Sequence, residues 1–241
     1  MKTFMARLLV TVSCFLIIQH LYAQQPNLHI REKDRRKDVK LKTSMGTIVL
    51  RLYDSTPVHR DNFISLVKTG YFNGLLFHRV IQNFMIQGGD PESRKAQPGQ
   101  PLGNGGPGYT LPAEFRPSLF HKKGVLAAAR EGDNTNPEKR SSASQFYIVQ
   151  GKKFSDAGLD SVETFRLKGR KIPAYQREVY KTLGGTPHLD QNYTVFGEVV
   201  SGLEVVDKIA ATPTSKGEDK DRPLKDVKIK KAKLVRRKHR M

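Results

Sequence analysis

Short stretches in which apolar and polar residues alternate recur along most of this 241-residue chain. Because successive side chains of a strand point to opposite faces, this period of two predicts half-buried β-strands. Residues 39–53 alternate on both sides of Met45-Gly46, which predicts two strands joined in a hairpin. Further strand-like segments are residues 75–80, 84–87, 124–129, 145–150, 193–199 and 227–235.

Apolar residues at helical spacing occur in two separated segments. The first follows Ser55 and Thr56, either of which can cap a helix, then opens with Pro57 and ends at Gly70. The second covers residues 203–210. Many short strands with two separated helices predict an all-β domain, in which a closed β-barrel rather than a parallel sheet is capped by the helices.

Residues 155–186 interrupt this pattern. Apolar residues recur there at helical spacing on both sides of Pro173, which can open a second helix, and Gly184-Gly185 can end it. We therefore expect an inserted helical hairpin in an otherwise β domain.

The first 23 residues have the layout of a secretory signal peptide. Lys2 and Arg7 give a positive start, and residues 8–18 form an apolar run too short to span a bilayer. Cleavage after Ala23 would remove Cys14, the only cysteine, so the mature chain would form no disulfide. The prediction is an exported protein of the periplasm, with another secretory compartment or an N-terminal membrane anchor as alternatives.

A formal net charge of +19 raises the question of a nucleic-acid partner. Much of the charge lies towards the ends, where residues 24–38 are interpreted as a flexible basic lead-in and residues 236–241 as a basic tail. The charge is accompanied neither by zinc-finger spacing nor by an aromatic RNA-binding signature, so no specific nucleic acid is expected. Basic ends of this kind favour solubility or weak adhesion to anionic envelope surfaces.

Several motifs that would indicate a cofactor, a metal or a nucleophile lack the context that their chemistry needs. Gly103, Gly105 and Gly108 form a GxGxxG pattern, but prolines on both sides prevent the helix whose N-terminus would hold phosphates. The histidines show no zinc-protease spacing and have no cysteine partners, and the sequence has no GxSxG elbow. We therefore expect no cofactor and no metal.

The run FHRVIQNFMIQGGD, residues 77–90, contains an arginine inside a mainly apolar strand. A guanidinium in such a position must find polar partners or serve a pocket. Arg79 is therefore the strongest candidate for a functional residue.

The same run resembles the central signature of the cyclophilins, FHR…FMxQGGD. Further segments resemble the other signatures of that family: residues 124–130, 144–148, 188–190 and 195–197. The chain is identified on these ordered motifs as a cyclophilin-like domain over residues 39–235, with residues 155–186 as an insertion. The resemblance implies a closed eight-stranded antiparallel β-barrel capped by two α-helices, and peptidyl-prolyl cis–trans isomerase activity.

By position, the resemblance makes Arg79 the catalytic residue and Gln87 the group that helps to hold it. The implied proline pocket and its surroundings consist of Phe84, Met85, Tyr147 and Leu189, with Ala129, Arg130, Gln145, His188 and Tyr193 around them. Four of these residues depart from the best-known human pattern, in which phenylalanine, asparagine, tryptophan and histidine stand at positions 147, 130, 188 and 193. The departures keep a pocket but leave its peptide preference open.

The implied reaction needs no cofactor. Amide resonance opposes rotation about an X–Pro bond by about 18–20 kcal/mol. As the bond twists, the lone pair of the prolyl nitrogen localises, and a donor aimed at it stabilises the transition state rather than the substrate. Arginine suits this role because it stays protonated and its planar fork can be held by a neighbour.

The expected partners are proline-containing polypeptides, either unfolded or exported clients, and the expected protein is a monomer without a transmembrane anchor. Two other functions remain open. A binding module could hold proline-containing chains in the same pocket without isomerising them, although Arg79 favours catalysis. A basic adhesion or nucleic-acid factor would instead bind with an affinity that falls steeply with salt.

Overall fold

The computed structural model describes residues 30–237. The predicted signal peptide, residues 1–23, lies outside the described residues, as does the predicted basic tail beyond Arg237. Within residues 30–237, no helix is long and apolar enough to cross a membrane.

The described residues form ten strands, eight of which build one antiparallel sheet. The strands are β1 (Lys37–Thr43), β2 (Thr47–Leu52), β3 (Arg79–Ile81), β4 (Met85–Gly88), β5 (Thr110–Leu111), β6 (Val125–Ala128), β7 (Ser141–Ser142), β8 (Phe146–Val149), β9 (Val195–Ser201) and β10 (Ile229–Arg236). The sheet order is β10-β1-β2-β9-β6-β8-β4-β3, and β5 pairs separately with β7. The predicted hairpin is confirmed as β1 and β2.

The two edge strands, β10 and β3, do not pair with each other in the described part of the chain. The residues before β3 meet the start of β10 instead: Ile229 N donates to Leu75 O at 2.7 Å, and Phe77 N donates to Val227 O at 2.8 Å. These bonds do not continue into a ladder between the two strands. The sheet is therefore a curled half-barrel, not the closed barrel that the sequence predicts.

A loop occupies the edge of β3, where another strand would have to pair to close the barrel. Residues 75–80 are predicted as one strand, but only Arg79–Ile81 has strand structure. Val80 N donates to Asp221 O at 2.8 Å, and Asp221 belongs to the segment between the last helix and β10. We call this segment, residues 211–228, the edge loop. Because the edge loop accepts from β3, β10 cannot pair with β3 there.

Five α-helices lie in the described residues: α1 (Glu32–Arg35), α2 (Pro57–Lys68), α3 (Asp156–Phe165), α4 (Ala174–Thr182) and α5 (Leu203–Ala210). Helices α2 and α5 are the two capping helices that the sequence predicts. Phe63 and Ile64 of α2 and Val206 of α5 are buried in the same hydrophobic core as the inward face of the sheet.

Helix α2 is capped from a distance rather than by Ser55 or Thr56. Thr56 is the N-cap residue, but its side chain makes no capping hydrogen bond. The Glu114 carboxylate instead accepts from Val58 N at 3.2 Å and from His59 N at 2.9 Å. A carboxylate is stabilised at this end of a helix, where unpaired N–H groups give a partial positive charge.

Helix α1 lies inside the segment interpreted as a flexible lead-in. Asp34 is buried and accepts from Lys68 of α2 at 2.9 Å and from Lys37 at 3.1 Å. The hydrogen bond from Lys68 holds the pKa of the Asp34 carboxyl well below its usual range. These ion pairs hold residues 32–37 against the domain, so this part of the lead-in forms a helix and the start of β1.

The central strands of the sheet are buried on both faces. Ile86 of β4 and Ile148 of β8 face the main core, whereas Met85 and Tyr147 face the opposite side. All four residues of β8 are buried, which is why that strand reads as a continuous apolar run. The buried residues of the opposite side are here called the apolar patch; they are Met85, Val125, Ala127, Tyr147, Val149 and Val195.

Helices α3 and α4 occupy the positions in residues 155–186 where the periodicity predicts helices. Ser155 caps α3, its Oγ accepting from Gly158 N at 3.1 Å. Leu159 of α3 and Tyr180 of α4 are fully buried in a second, smaller core of their own. This segment therefore packs as a unit with its own apolar interior.

Gly89→Ala is expected to lower the free energy of unfolding by about 3 kcal/mol or more. Gly89 follows β4 with a φ of +99°, and a Cβ there would collide with the backbone oxygen of Ser144. Gly108→Ala is the matched control, because Gly108 has a φ of +88° and nothing within 4 Å of the added Cβ. The control should lose only the backbone cost of about 1–2 kcal/mol. Equal losses for the two variants in urea unfolding would contradict this account.

Acid is expected to weaken the fold through His78. This side chain is 3% exposed, and neither ring nitrogen has a hydrogen-bond partner among the described residues. Burial lowers its pKa from 6.5 to about 4, so between these values the unfolded chain binds a proton that the folded chain does not. The free energy of unfolding should therefore fall as pH drops from 6.5 to 4, by at most about 1.4 kcal/mol per pH unit.

The measurement is urea unfolding of the wild type and of His78→Phe at a series of pH values. The variant removes the titrating group and keeps an apolar ring, so its stability should depend less steeply on pH in this window. Identical slopes for the two proteins would show that His78 does not carry the effect.

Candidate active site

A row of side chains crosses four adjacent strands on the side of the apolar patch. Arg79 of β3 is in register with Gln87 of β4, which is in register with Tyr147 of β8. Tyr147 is in turn in register with Ala127 of β6. Directly opposed residues of antiparallel strands project from the same face. The row therefore brings the predicted catalytic arginine beside the amide and the aromatic ring assigned to its pocket.

The apolar patch lies next to this row, and together with the side chains packed around it contains most of the predicted pocket. Met85 and Tyr147 belong to the patch itself, and partly buried side chains pack around it. Those side chains are Tyr53, Ile81, Phe84, Leu119, Ala129, Leu189 and Tyr193. Leu119, Tyr53 and Ile81 are additions that no signature motif indicates.

Arg79 is half-exposed and its charge faces Asp221. The Arg79 side chain is 43% exposed, and its Nε lies 3.5 Å from Asp221 Oδ2. Gln87 was expected to hold this arginine, but the Gln87 side-chain amide donates to Gln145 Oε1 at 3.0 Å. No hydrogen bond joins the side chains of Gln87 and Arg79 in the described residues. The carboxylate that forms an ion pair with the guanidinium therefore comes from the edge loop.

Gln145 ties the row to the glycine-rich loop. Its Nε2 donates to Gly103 O at 2.7 Å and to Gly105 O at 2.8 Å. Gly103 N in turn donates to Asp90 Oδ2 at 2.6 Å. The GxGxxG pattern is thus a loop anchored at the site, as the flanking prolines predict.

His188 and Phe84 form one wall of the pocket. Their rings stack with centroids 5.7 Å apart and an interplanar angle of 26°. Burial, followed by the nearby Arg166 charge, lowers the pKa of His188 from 6.5 to about 4. The ring is therefore neutral at neutral pH and presents an aromatic face where the best-known relatives carry tryptophan.

Arg130 and Tyr193 form a second wall. The Arg130 guanidinium carbon lies 4.6 Å from the centroid of the Tyr193 ring, a cation–π arrangement. Arg130 Nε donates to Asn192 O at 2.8 Å, and Nη1 lies 2.7 Å from Asp133 Oδ1. Since these contacts use the guanidinium, Arg130 braces the pocket rather than offering a free charge to it.

Tyr147 is the largest side chain of the patch and carries a hydroxyl where a phenylalanine is usual. Its hydroxyl lies 2.9 Å from His121 Nε2, and the ring is 4% exposed. Burial, together with the neighbouring Tyr193 and Asp190, raises the pKa of Tyr147 well above its usual value. The hydroxyl therefore stays protonated and points away from solvent.

The structure brings the eleven residues that the sequence analysis assigns to the site together in the row, the patch and the side chains around them. An open groove of about 1850 Å³ begins beside them and shares Gln87, Ala129, Arg130 and Gln145 with the site. The groove extends towards the start of α2 at Pro57.

Sequence reasoning missed two residues with direct contacts to this region. Asp221 lies in a loop that no signature covers, and its neighbours Glu218 and Asp219 are also acidic, so its charge does not distinguish it in the sequence. The sequence indicates His121 only as one of several histidines without the spacing of zinc ligands. Its role depends on the Tyr147 hydroxyl, and nothing in the spacing of the two residues indicates that contact.

Comparison with known protein families gives the same identification as the signature residues and the geometry of the site. A family model described as "Cyclophilin type peptidyl-prolyl cis-trans isomerase/CLD" matches residues 38–234. A Staphylococcus haemolyticus protein, "Putative peptidyl-prolyl cis-trans isomerase", is 34% identical over 208 residues, which are 85% of this chain and 94% of that protein. A Streptococcus pyogenes serotype M6 protein, "Putative bifunctional phosphatase/peptidyl-prolyl cis-trans isomerase", is 37% identical over 86% of this chain. The match covers only 40% of that longer protein.

Solved structures show the same fold. The crystal structure of a cyclophilin-type peptidyl-prolyl cis–trans isomerase from Cryptosporidium parvum has a TM-score of 0.58 and 22% identity, with 83% of this chain and 97% of that chain covered. A structure of the same protein in the presence of the dipeptide Ala-Pro gives a TM-score of 0.57 at 22% identity, over 82% and 98% of the two chains.

The family model spans most of the sequence. It agrees with the eight-stranded antiparallel sheet, the two capping helices and the ordered signature residues. This chain belongs to the cyclophilin family, and its activity is peptidyl-prolyl cis–trans isomerisation.

Proposed function

We propose that Arg79 catalyses rotation about X–Pro bonds by donating to the prolyl nitrogen as the bond twists, and that the clients are exported proteins. The observation that carries this proposal is the row in which Arg79, Gln87 and Tyr147 are in register beside the apolar patch. A charged donor at the edge of an apolar surface suits a substrate whose reacting nitrogen belongs to an apolar ring.

The donor must act on the transition state rather than on the ground state. In the planar amide the nitrogen lone pair is delocalised, so it accepts a hydrogen bond poorly. Twisting localises the lone pair, and the arginine then gains a hydrogen bond that the substrate did not make. A hydrogen bond to a charged group contributes about 1.5–3 kcal/mol, which corresponds to roughly one to two powers of ten in rate.

The contact with Asp221 supports this role for Arg79. The ion pair engages Nε, and the terminal nitrogens of the guanidinium make no hydrogen bond to the described residues. A carboxylate on one side of the fork restricts its rotation and leaves the opposite side for the substrate. Because the side chain is 43% exposed, a peptide can approach those nitrogens from solvent.

The apolar patch supplies binding of the pyrrolidine ring. Met85 and Tyr147 form its floor, Phe84 and Leu189 lie at its rim, and burial of a ring against them is favourable by about 25 cal/mol per Å² of apolar surface. With the ring held, the carbonyl of the preceding residue rotates in the open groove. Water excluded from the patch strengthens the hydrogen bond from Arg79.

Export is supported by the sequence alone. The positive start, the short apolar run and the polar stretch that ends at Ala23 are typical of a cleaved signal peptide. X–Pro isomerisation takes roughly tens to hundreds of seconds unaided, so newly exported chains are substrates for which catalysis matters. We place the protein in the periplasm on this basis and expect it to act as a monomer.

Arg79→Ala is expected to lower kcat/KM on a proline-containing tetrapeptide by at least about a hundredfold, because both the donor and its fixed direction are lost. Arg79→Lys should also be poor, since an ammonium group cannot reproduce the planar fork. The measurement is a coupled isomerisation assay, with the melting temperature recorded for each variant.

Arg94→Ala serves as the control. Arg94 is an arginine outside the apolar patch and its walls, where it donates to Tyr71 O and Asn73 O. It should retain wild-type kcat/KM. If Arg79→Ala keeps near-full activity, catalysis by Arg79 is excluded; if it still binds proline peptides without turnover, binding and catalysis are separate properties of the pocket.

The mature protein from its native host is expected to begin at or near Gln24, since cleavage after Ala23 follows the signal-peptide pattern. Mass spectrometry of the N-terminal peptide makes the measurement. Recovery of peptides containing Lys2 from most of the soluble protein would refute cleavage.

A further inference from the structure

Four buried side chains connect helix α4 to the floor of the proline pocket. Tyr180 of α4 donates its hydroxyl proton to Asp190 Oδ2 at 2.6 Å. Asp190 Oδ1 lies 2.9 Å from His121 Nδ1, and His121 Nε2 lies 2.9 Å from the Tyr147 hydroxyl. The exposed fractions are 0% for Tyr180 and His121, 2% for Asp190 and 4% for Tyr147. We call these four residues the buried network.

With His121 neutral, the donors and acceptors of the network have one consistent direction. A carboxylate only accepts, so the proton between His121 and Asp190 belongs on His121 Nδ1. In the neutral imidazole Nε2 is then an acceptor, and the Tyr147 hydroxyl donates to it. Asp190 also accepts from His121 N at 2.8 Å. With three donors on one buried carboxylate, the network leaves no member unsatisfied, which makes a fixed arrangement favourable.

Both tyrosines remain donors throughout the physiological pH range. Burial raises the pKa of Tyr180, and the Asp190 charge adds to the effect. Burial likewise raises the pKa of Tyr147. Neither hydroxyl therefore ionises, and the hydrogen bonds persist.

Close packing prevents the network from shifting as a whole. Gly185, just after α4, lies so near that an added Cβ would collide with His121 O and come within 2.6 Å of Tyr180 Cε1. Thr186 N donates to His121 O at 2.8 Å, which ties the chain after α4 to the histidine. The backbone and the side chains thus hold His121 between α4 and the pocket floor.

We infer that Tyr180, Asp190 and His121 are positioning residues that fix the Tyr147 ring, so that helix α4 sets the shape of the proline pocket. This inference rests on the proposed function, because it assigns a purpose to the position of a residue in that pocket. It also gives a role to residues 155–186, for which the sequence predicts only a helical hairpin. A segment that reaches the pocket floor through buried hydrogen bonds contributes to turnover of every substrate, not only to the choice among large clients.

The geometry explains why a hydroxyl at position 147 matters. A phenylalanine ring in the floor is held by packing alone, without a hydrogen bond that restrains tilting of its far end. Tyr147 is held additionally at its far end by His121, so a substrate ring meets a surface that is already in place. Preorganised contacts cost less ordering entropy when the substrate binds or reacts.

The test is a double-mutant cycle of Tyr180→Phe and Tyr147→Phe in the purified protein. Tyr180→Phe removes one oxygen that touches Asp190 and lies outside the pocket. It should lower kcat/KM on a tetrapeptide about three- to tenfold. In the Tyr147→Phe background, where no hydroxyl remains to be held, the same change should alter kcat/KM less than about twofold.

Tyr175→Phe is the matched control. Tyr175 lies on the same helix, is 57% exposed and contacts Gln176 rather than the network. It should leave kcat/KM unchanged. A purely structural role for Tyr180 predicts a lower melting temperature with kcat/KM unchanged, or an equal fold loss in both backgrounds, and either result would overturn the inference.

A second readout is independent of turnover. The rate at which the Tyr147 hydroxyl proton exchanges with solvent, measured by NMR on protein with 13C-labelled tyrosine, should rise in Tyr180→Phe and stay unchanged in Tyr175→Phe. An unchanged rate in Tyr180→Phe would also overturn the inference. If Tyr180→Phe fails to fold, Asp190→Asn keeps the shape of the acceptor and should show the same coupling to Tyr147.

The two proposals can fail separately. Full activity of Arg79→Ala would refute catalysis by Arg79, yet the cycle would still report on the network because wild-type turnover is its reference. Additivity in the cycle would refute the network while the Arg79 variants remained inactive.

Discussion

The antiparallel pairing of β4 with β8 is the interaction on which both the core and the site depend. In one register, Ile86 opposes Ile148 in the main core while Gln87 opposes Tyr147 on the outer face. A slip of one residue would exchange the two faces and bury the glutamine in the core. The apolar packing of the core thereby determines which side chains face the substrate. The geometry of the site therefore depends on the same packing that stabilises the fold.

Much of this arrangement follows from local sequence, because alternation and helical spacing depend on short stretches. The β1–β2 hairpin and helices α2 and α5 are predicted on that basis, whereas Met85 and Tyr147 of the apolar patch are indicated by the family resemblance. Strand closure is not predicted correctly, because it depends on where the edge loop lies. Val80 pairs with Asp221, which is more than a hundred residues away in sequence, and no periodic pattern encodes such a contact.

The polar contacts of the site were the hardest part to predict. Sequence motifs indicate Arg79 and Gln87 but assign them to each other, whereas the structure joins them to Asp221 and Gln145. The cap of α2 comes from Glu114 rather than from the adjacent Thr56. In each case a long side chain has several partners within reach, and the tertiary fold selects one. The type of a residue determines which kinds of contact its side chain can make. It does not determine which residue is the partner in that contact.

The edge loop performs two tasks that are usually separate. Its Asp221 carbonyl covers the free edge of β3, and the carboxylate of the same residue faces Arg79. An uncovered strand edge is a template for pairing with other chains, and isomerases meet unfolded chains as substrates. Each extended client that enters the site is thus a potential extra strand. Because the edge loop accepts from Val80, β3 is not available there for pairing with an extended chain bound beside it.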